Sequence, residues 1–181
     1  MRSTHDLIEE HRVILGVLDG LERALAAADA GGDVPVAFLR DLVTFSQTFV
    51  DRCHHGKEEA CLFPCLERRG IPRQGGPIGV MLEEHEAGRR LVREIAAQLD
   101  RYAQGAVPAR AVLEPCRQYL DLLRAHIAKE NEVLFPMGEV VLQPADDTAT
   151  GACYDGVEHQ LGHGVHQAAT TLAERLAGGP S

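Results

Sequence analysis

Four stretches of the chain carry apolar residues at alternating steps of three and four, the period of a helix that buries one face. The first line is Leu7, His11, Ile14, Leu18, Leu21, Leu25, and the third is Ile78, Met81, His85, Gly88, Val92, Ile95, Leu99, Tyr102. The second runs Val43, Gln47, Val50, His54, Glu58, Cys61, Cys65, and the fourth Cys116, Tyr119, Leu123, His126, Glu130, Val133, Met137. Each line is interrupted by a histidine, and the second and fourth also by a glutamate four residues later. Breaks rich in Gly and Pro at 30–35, 69–77 and 104–108, and a Q-P-A-D-D-T-A-T-G stretch at 143–151, separate these segments from one another and from a shorter fifth. The pattern predicts an all-α protein: an antiparallel up-and-down four-helix bundle over residues 1–140, then a linker and a C-terminal helix over 141–181 packing on or near it. Leu-Phe-Pro at 62–64 and at 134–136 is expected to stop or kink the second and fourth helices, with Leu and Phe closing the core, and Pro115 to lie near the start of the fourth or to kink it.

The chain also repeats itself. H-H-G-K-E-E-A-C-L-F-P at 54–64 matches H-I-A-K-E-N-E-V-L-F-P at 126–136 in six of eleven positions, and I-E-E-H at 8–11 matches L-E-E-H at 82–85. The order E-E-H, then H-x-x-K-E-x-x-x-L-F-P, therefore occurs twice, and two helical hairpins related by approximate two-fold symmetry account for it. Each half contributes two histidines and one glutamate to the buried seam.

Composition supports helices: Trp is absent and only 4% of residues are aromatic, a poor supply for β-sheet cores. A formal charge of -9 excludes a phosphate-binding surface built from clustered Lys and Arg, so no nucleic-acid partner is expected. No apolar run approaches the roughly 20 residues of a membrane span, and the charged N-terminus does not read as a signal peptide, so no membrane partner and a cytoplasmic protein are expected. Five Cys without a C-x-x-C pair fit a reducing compartment better than a disulfide framework, with Cys53, Cys61 and Cys65 read as small buried hydrophobes.

His and Glu four apart on a helix lie about 40° apart around the axis and roughly 6 Å along it, so both can point at one centre. Two buried carboxylates among four histidines are strongly unfavourable unless a cation sits between them. Imidazole and carboxylate donors without a thiolate set suit iron, manganese or zinc rather than a structural zinc site. The reading places Glu58 and Glu130 as bridges between two metal ions, with His11, His54, His85 and His126 as terminal ligands and coordination positions left for a small molecule. His55 and Glu59, one position round the helix, are read as solvent-facing or as supports of the ligands. Gln47 and Tyr119, one heptad before the seam histidines, are candidates for hydrogen bonding to a ligand at the centre.

The segments I-E-E-H-R, R-C-H-H-G-K-E-E-A-C-L-F-P, L-E-E-H-E-A-G-R and H-I-A-K-E-N-E-V-L-F-P resemble the four helices of the haemerythrin-like HHE cation-binding family over roughly residues 3–140. The resemblance implies a non-haem centre of two iron ions joined by an oxo or hydroxo bridge, with Mn or Zn as substitutes, carried on His11, His54, Glu58, His85, His126 and Glu130. It implies binding or reduction of oxygen, peroxide or nitric oxide, in an oxidative or nitrosative stress response or an oxygen response, with a redox partner that the sequence does not name. Enzyme or carrier is left open, and the alternative is an iron or oxygen sensor acting on a protein partner through its C-terminal segment. Oxygen-carrying members place a further histidine four residues after the third-helix one; here that position is Arg89. The tail offers His166 as the substitute ligand, with His163 and His159 behind it.

Overall fold

The computed structural model describes residues 1–162 and 164–180, apart from the side chain of His166. Among the described residues the chain is all-helical, with no strand. Helix α1 spans Arg2–Asp29, α2 residues 36–68, α3 Pro77–Ala103, α4 residues 110–141, α5 Pro144–Leu161 and α6 Val165–Ala177. The tail thus holds two helices where the pattern suggested one. Gly162 and Gly164, at φ 99° and 93°, make the break in a backbone region that favours glycine.

Residues 143–151, read above as a linker, are largely the first half of α5. Gln143 and Asp146 form a reciprocal capping box around Pro144 at the first turn, so the polar run starts a helix instead of interrupting one. Leu-Phe-Pro does not stop α2 or α4 either. A π-helical turn, Glu58–Leu62 or Glu130–Leu134, immediately precedes each Phe-Pro, and α-helix resumes over Phe63–Arg68 and Phe135–Val141. Each proline therefore falls in the first turn of a new α-segment, where its missing N–H costs little. Pro115 lies inside the fourth helix, buried, and the helix continues through it to Lys129.

The π-turns also correct two of the apolar lines. Their i→i+5 bonding inserts a residue into the turn and moves the buried face round by one position. In α4 the seam passes from Glu130 to Leu134 and Gly138, leaving Val133 49% and Met137 40% exposed. In α2 a longer π-helical stretch, Ser46–His55, buries Phe49, Val50, Cys53, His54 and His55, while Val43 is half-buried and Gln47 exposed. The regular α-helical period holds in α1 and in α3, where every position of the lines from Leu7 to Leu25 and from Ile78 to Leu99 is buried.

Two apolar clusters form the core. One gathers Leu18, Leu21, Leu39, Leu99 and Val112 among others, the second Leu7, Leu66, Ile78 and Leu134. On α1 the site histidine His11 lies between Leu7 of one cluster and Ile14 of the other, and on α4 His126 and Glu130 lie between Leu123 and Leu134. The polar residues thus occupy a layer closed above and below by hydrocarbon. The last two helices pack against α1 and α2. Gly20 on α1 allows the closest approach: a Cβ there would stand 1.9 Å from the Leu176 carbonyl oxygen of α6.

Candidate metal centre

His11, His54, Glu58, His85, His126 and Glu130 are all buried and converge on that middle layer. Their donor atoms fall into two groups, His11, His54, Glu58 and Glu130 in one, and His55, Glu58, His85 and His126 in the other, each with ligand atoms within 4.8 Å of one another. Both carboxylates stand between the halves of the repeat. Glu58 faces His54 Nε2 at 3.6 Å and His85 Nε2 at 3.3 Å. Glu130 faces His11 Nε2 at 3.2 Å and His126 Nε2 at 3.3 Å.

The outward nitrogens are all held. His54 Nδ1 lies 2.8 Å from Glu10, His126 Nδ1 2.9 Å from Glu84, His85 Nδ1 2.7 Å from Glu59 and His11 Nδ1 2.8 Å from the Asn131 side-chain oxygen. A carboxylate or an amide oxygen only accepts, so Nδ1 carries the proton and Nε2 presents a lone pair inward. Two such lone pairs then confront each other, His11 to His54 at 3.0 Å and His85 to His126 at 3.2 Å. None of the four oxygens of Glu58 and Glu130 has a hydrogen-bond partner among the described residues. Four inward lone pairs and four orphaned carboxylate oxygens in a buried layer repel unless cations lie among them, an arrangement that could hold metal ions with supporting hydrogen bonds behind the donors. The N and O donors fit first-row ions.

The electrostatics show the excess negative charge of the layer: burial would lower His11, but the Glu130 and Glu58 carboxylates outweigh it and raise its pKa, the pull on a cation that a metal ion would answer. Burial pushes the Glu58 carboxyl well above the ordinary range, and the neighbouring Glu130 charge adds to the rise. Burial pushes His54 down to about 4, which keeps its imidazole neutral and able to ligate. Glu10 moves the opposite way: burial alone would raise it, but the His54 hydrogen bond and charge and the Lys57 ammonium hold it at about 2.

Several participants had no role in the sequence reading. Glu10 and Glu84 precede His11 and His85 in the two E-E-H motifs, and Lys57 and Lys129 follow His54 and His126 by three, so the duplication itself was the available signal. In the structure Lys57 bonds Glu10, which bonds His54; Lys129 bonds Glu84, which bonds His126. His55 corrects the solvent-facing reading. It is only 4% exposed, stacks on His85 with centroids 3.7 Å apart, and neither ring nitrogen has a hydrogen-bond partner among the described residues. Glu59 holds both His85 and Arg89. Arg89 is tied to Asp51, Glu59 and Glu86. Tyr119 is buried and Gln47 exposed, and both line one cavity beside the centre.

In the tail, His159 lies on an exposed stretch of α5, while His163 and the His166 side chain lie outside the described residues. Cysteines depart from the all-thiol reading: Cys61 and Cys153 form a disulfide, and Cys53, Cys65 and Cys116 are free and buried. A third group, Glu10, Cys53 and Glu158, surrounds the Lys57 ammonium, which already supplies its cation. Burial pushes the Cys53 thiol up to about 11, so it offers no thiolate there.

Comparison with known proteins agrees with the geometry. The family model of the hemerythrin HHE cation binding domain matches residues 2–138, and the chain belongs to this family. The uncharacterized protein Rv1995 of Mycobacterium tuberculosis (strain H37Rv) is 25% identical over 159 residues, covering 87% of this chain and 62% of the relative. The iron-sulfur cluster repair protein YtfE of Salmonella newport is 34% identical over 87 residues, 46% of this chain and 39% of the relative. The chain thus spans less than two thirds of the length of these relatives. No solved structure matches it. Among the described residues no helix is long and apolar enough to cross a membrane.

Proposed function

We propose that the four long helices form an antiparallel bundle around a pair of iron ions, held by His11, His54, His85 and His126 and bridged by Glu58 and Glu130, and that the pair binds or consumes a small oxidant. The observation that carries this reading is the convergence of four imidazole lone pairs and four unpartnered carboxylate oxygens in one buried layer. Metal-binding membership of the family supports it. When bound, the ions supply electrons and Lewis acidity to oxygen, peroxide or nitric oxide. The chain's own residues do the rest: Glu10, Glu84, Glu59 and Asn131 fix the imidazole orientations, Glu58 and Glu130 balance the metal charge, and the two apolar clusters exclude bulk water. A role in oxidative or nitrosative stress follows, consistent with the iron-sulfur repair named for YtfE.

Metal analysis and an optical spectrum of protein purified without added metal test this directly. About two iron per chain are expected, with a near-ultraviolet band that changes on adding oxygen, peroxide or nitric oxide. Protein that binds no metal and is indifferent to chelator would overturn the proposal.

A second reading, an iron or oxygen sensor acting through the tail, is favoured by one chain of contacts. Glu158 of α5 bonds Lys57, Lys57 bonds Glu10, and Glu10 bonds His54. Metal loading that changes amide-exchange protection across 144–161 is the result expected of a sensor; identical protection with and without metal discards it.

A further inference from the structure

The cavity between α2 and α3 offers more room than an oxidant of two or three atoms requires. It has a volume of about 240 Å³, and its deep wall is made by Ser46, Val50, His55, Gly88, Val92 and the ring of Tyr119. An apolar cavity of about 150 Å³ accommodates benzene, and a single water needs only about 15 Å³ on this measure. Apart from its polar contacts this wall is hydrocarbon, and every side chain in it is nearly inaccessible to solvent. The mouth carries the Arg89–Asp51 ion pair together with the exposed Arg93 and Gln47.

Two residues in the wall are polar. Both ring nitrogens of His55 are buried with no hydrogen-bond partner among the described residues, and Ser46 Oγ faces the neighbouring Tyr119 hydroxyl. The nearest carboxylate to His55, Asp51, stands 3.9 Å from Nδ1 and is committed to Arg89. Buried polar atoms are rarely left so, and the two His55 nitrogens at the wall of one cavity call for an occupant that can hydrogen-bond. His55 also belongs to the donor group with Glu58, His85 and His126, so whatever occupies the cavity lies against the metal centre.

We propose that this cavity binds a small neutral molecule with an apolar body of several carbon atoms and one hydrogen-bonding end, an alkyl hydroperoxide in preference to hydrogen peroxide or a diatomic gas. The apolar body lies against Val50, Val92 and Tyr119, and the oxygen end meets His55 and Ser46 beside the centre. His55 is then a positioning residue for the bound molecule. The assignment of a reactive oxidant rests on the dinuclear reading above; the binding site itself does not.

Gly88 is the place to close the cavity. A Cβ there would meet Tyr119 and Leu122 at 3.9 and 4.0 Å, ordinary contact, so alanine fits and a longer side chain extends into the space. The first experiment uses metal-free protein and tert-butanol, an unreactive analogue, followed by NMR of the Val50, Val92 and Tyr119 signals. The expected result is saturable shifts in the wild type and in Gly88→Ala, lost in Gly88→Leu; Val92→Phe, one turn further along α3, fills the cavity should the leucine variant not fold. The second uses iron-loaded protein with tert-butyl hydroperoxide or hydrogen peroxide. Gly88→Leu should slow the spectral change with the alkyl peroxide about tenfold or more and that with hydrogen peroxide by less than about threefold, because only the larger molecule competes with the leucine for space. Absence of tert-butanol shifts in the wild type, shifts that persist in both filled variants, or equal slowing of the two peroxides would overturn the proposal. A chain that binds tert-butanol but holds no iron would instead overturn the dinuclear reading and leave the cavity assignment standing.

Discussion

The first half of the repeat, around His54, Lys57, Glu58 and Cys61, and the second, around His126, Lys129, Glu130 and Val133, have nearly the same chemistry in different surroundings. Lys57 is 4% exposed and Lys129 is 42% exposed, although each bonds the glutamate that orients its histidine. Cys61 is buried and cross-linked to Cys153 of α5, whereas its counterpart Val133 faces solvent. The cause is the tail, since α5 and α6 pack on α1 and α2. A duplicated hairpin gives each half the same ligand frame, and an unduplicated tail then encloses one of them. The local dielectric, and so the strength of each charge pair, follows from that covering.

The largest effect should come from the bridging carboxylates, and it tests whether the halves are independent. If Glu58 and Glu130 each serve both ions, Glu58→Ala and Glu130→Ala should each lower iron content from about two per chain to nearly none; retention of one ion in either variant would assign an ion to each half. Chelation of the wild type should cost about 4 kcal/mol of unfolding free energy if metal is held at a thousand times its dissociation constant, measurable in denaturant titrations. The disulfide comes next. Cys153→Ser removes a link across 92 residues of sequence and is expected to destabilise by up to about 4 kcal/mol, with no equivalent in the second half.

Lys57→Met and Lys129→Met form the direct comparison of environments. The first leaves the buried Glu10 and the half-exposed Glu158 without their shared cation and should cost about 3 kcal/mol, chiefly through Glu10. The second breaks a half-exposed pair and should cost about 0.5 kcal/mol or less. Equal losses would show that the covering by α5 does not set the local dielectric. The smallest effect concerns Asp147 of α5, which accepts hydrogen bonds from the Arg2 and Ser3 amides and the Ser3 hydroxyl at the start of α1. Burial alone would raise its pKa, but these donors outweigh burial and hold it below the usual value. A carboxyl depressed in the folded state adds stability above its unfolded pKa and loses it as pH falls. Asp147→Asn should therefore cost about 1 kcal/mol near neutral pH, with the difference from wild type shrinking below about pH 4, where the unfolded carboxyl protonates.

Much of this protein was legible in the residues alone. The three-and-four spacing of Leu7 to Leu25 and of Ile78 to Leu99 sets two helices and their buried faces because side-chain direction in a regular α-helix depends only on local position. The paired H-x-x-x-E and E-E-H motifs identified the six inward residues for the same reason, since His and Glu four apart share a face whatever the helix packs against. Tertiary structure decided what local periodicity cannot carry. The π-turns that bury His55 and Leu134 and expose Val133 lie outside a reading that assumes one uniform period, because a single turn of five residues leaves no mark in a three-and-four apolar spacing. Likewise, the union of Cys61 with Cys153 and the enclosure of Lys57 by Glu158 join residues far apart in the chain. Their distances, and hence the dielectric around one half of the centre, come into being only when α5 docks.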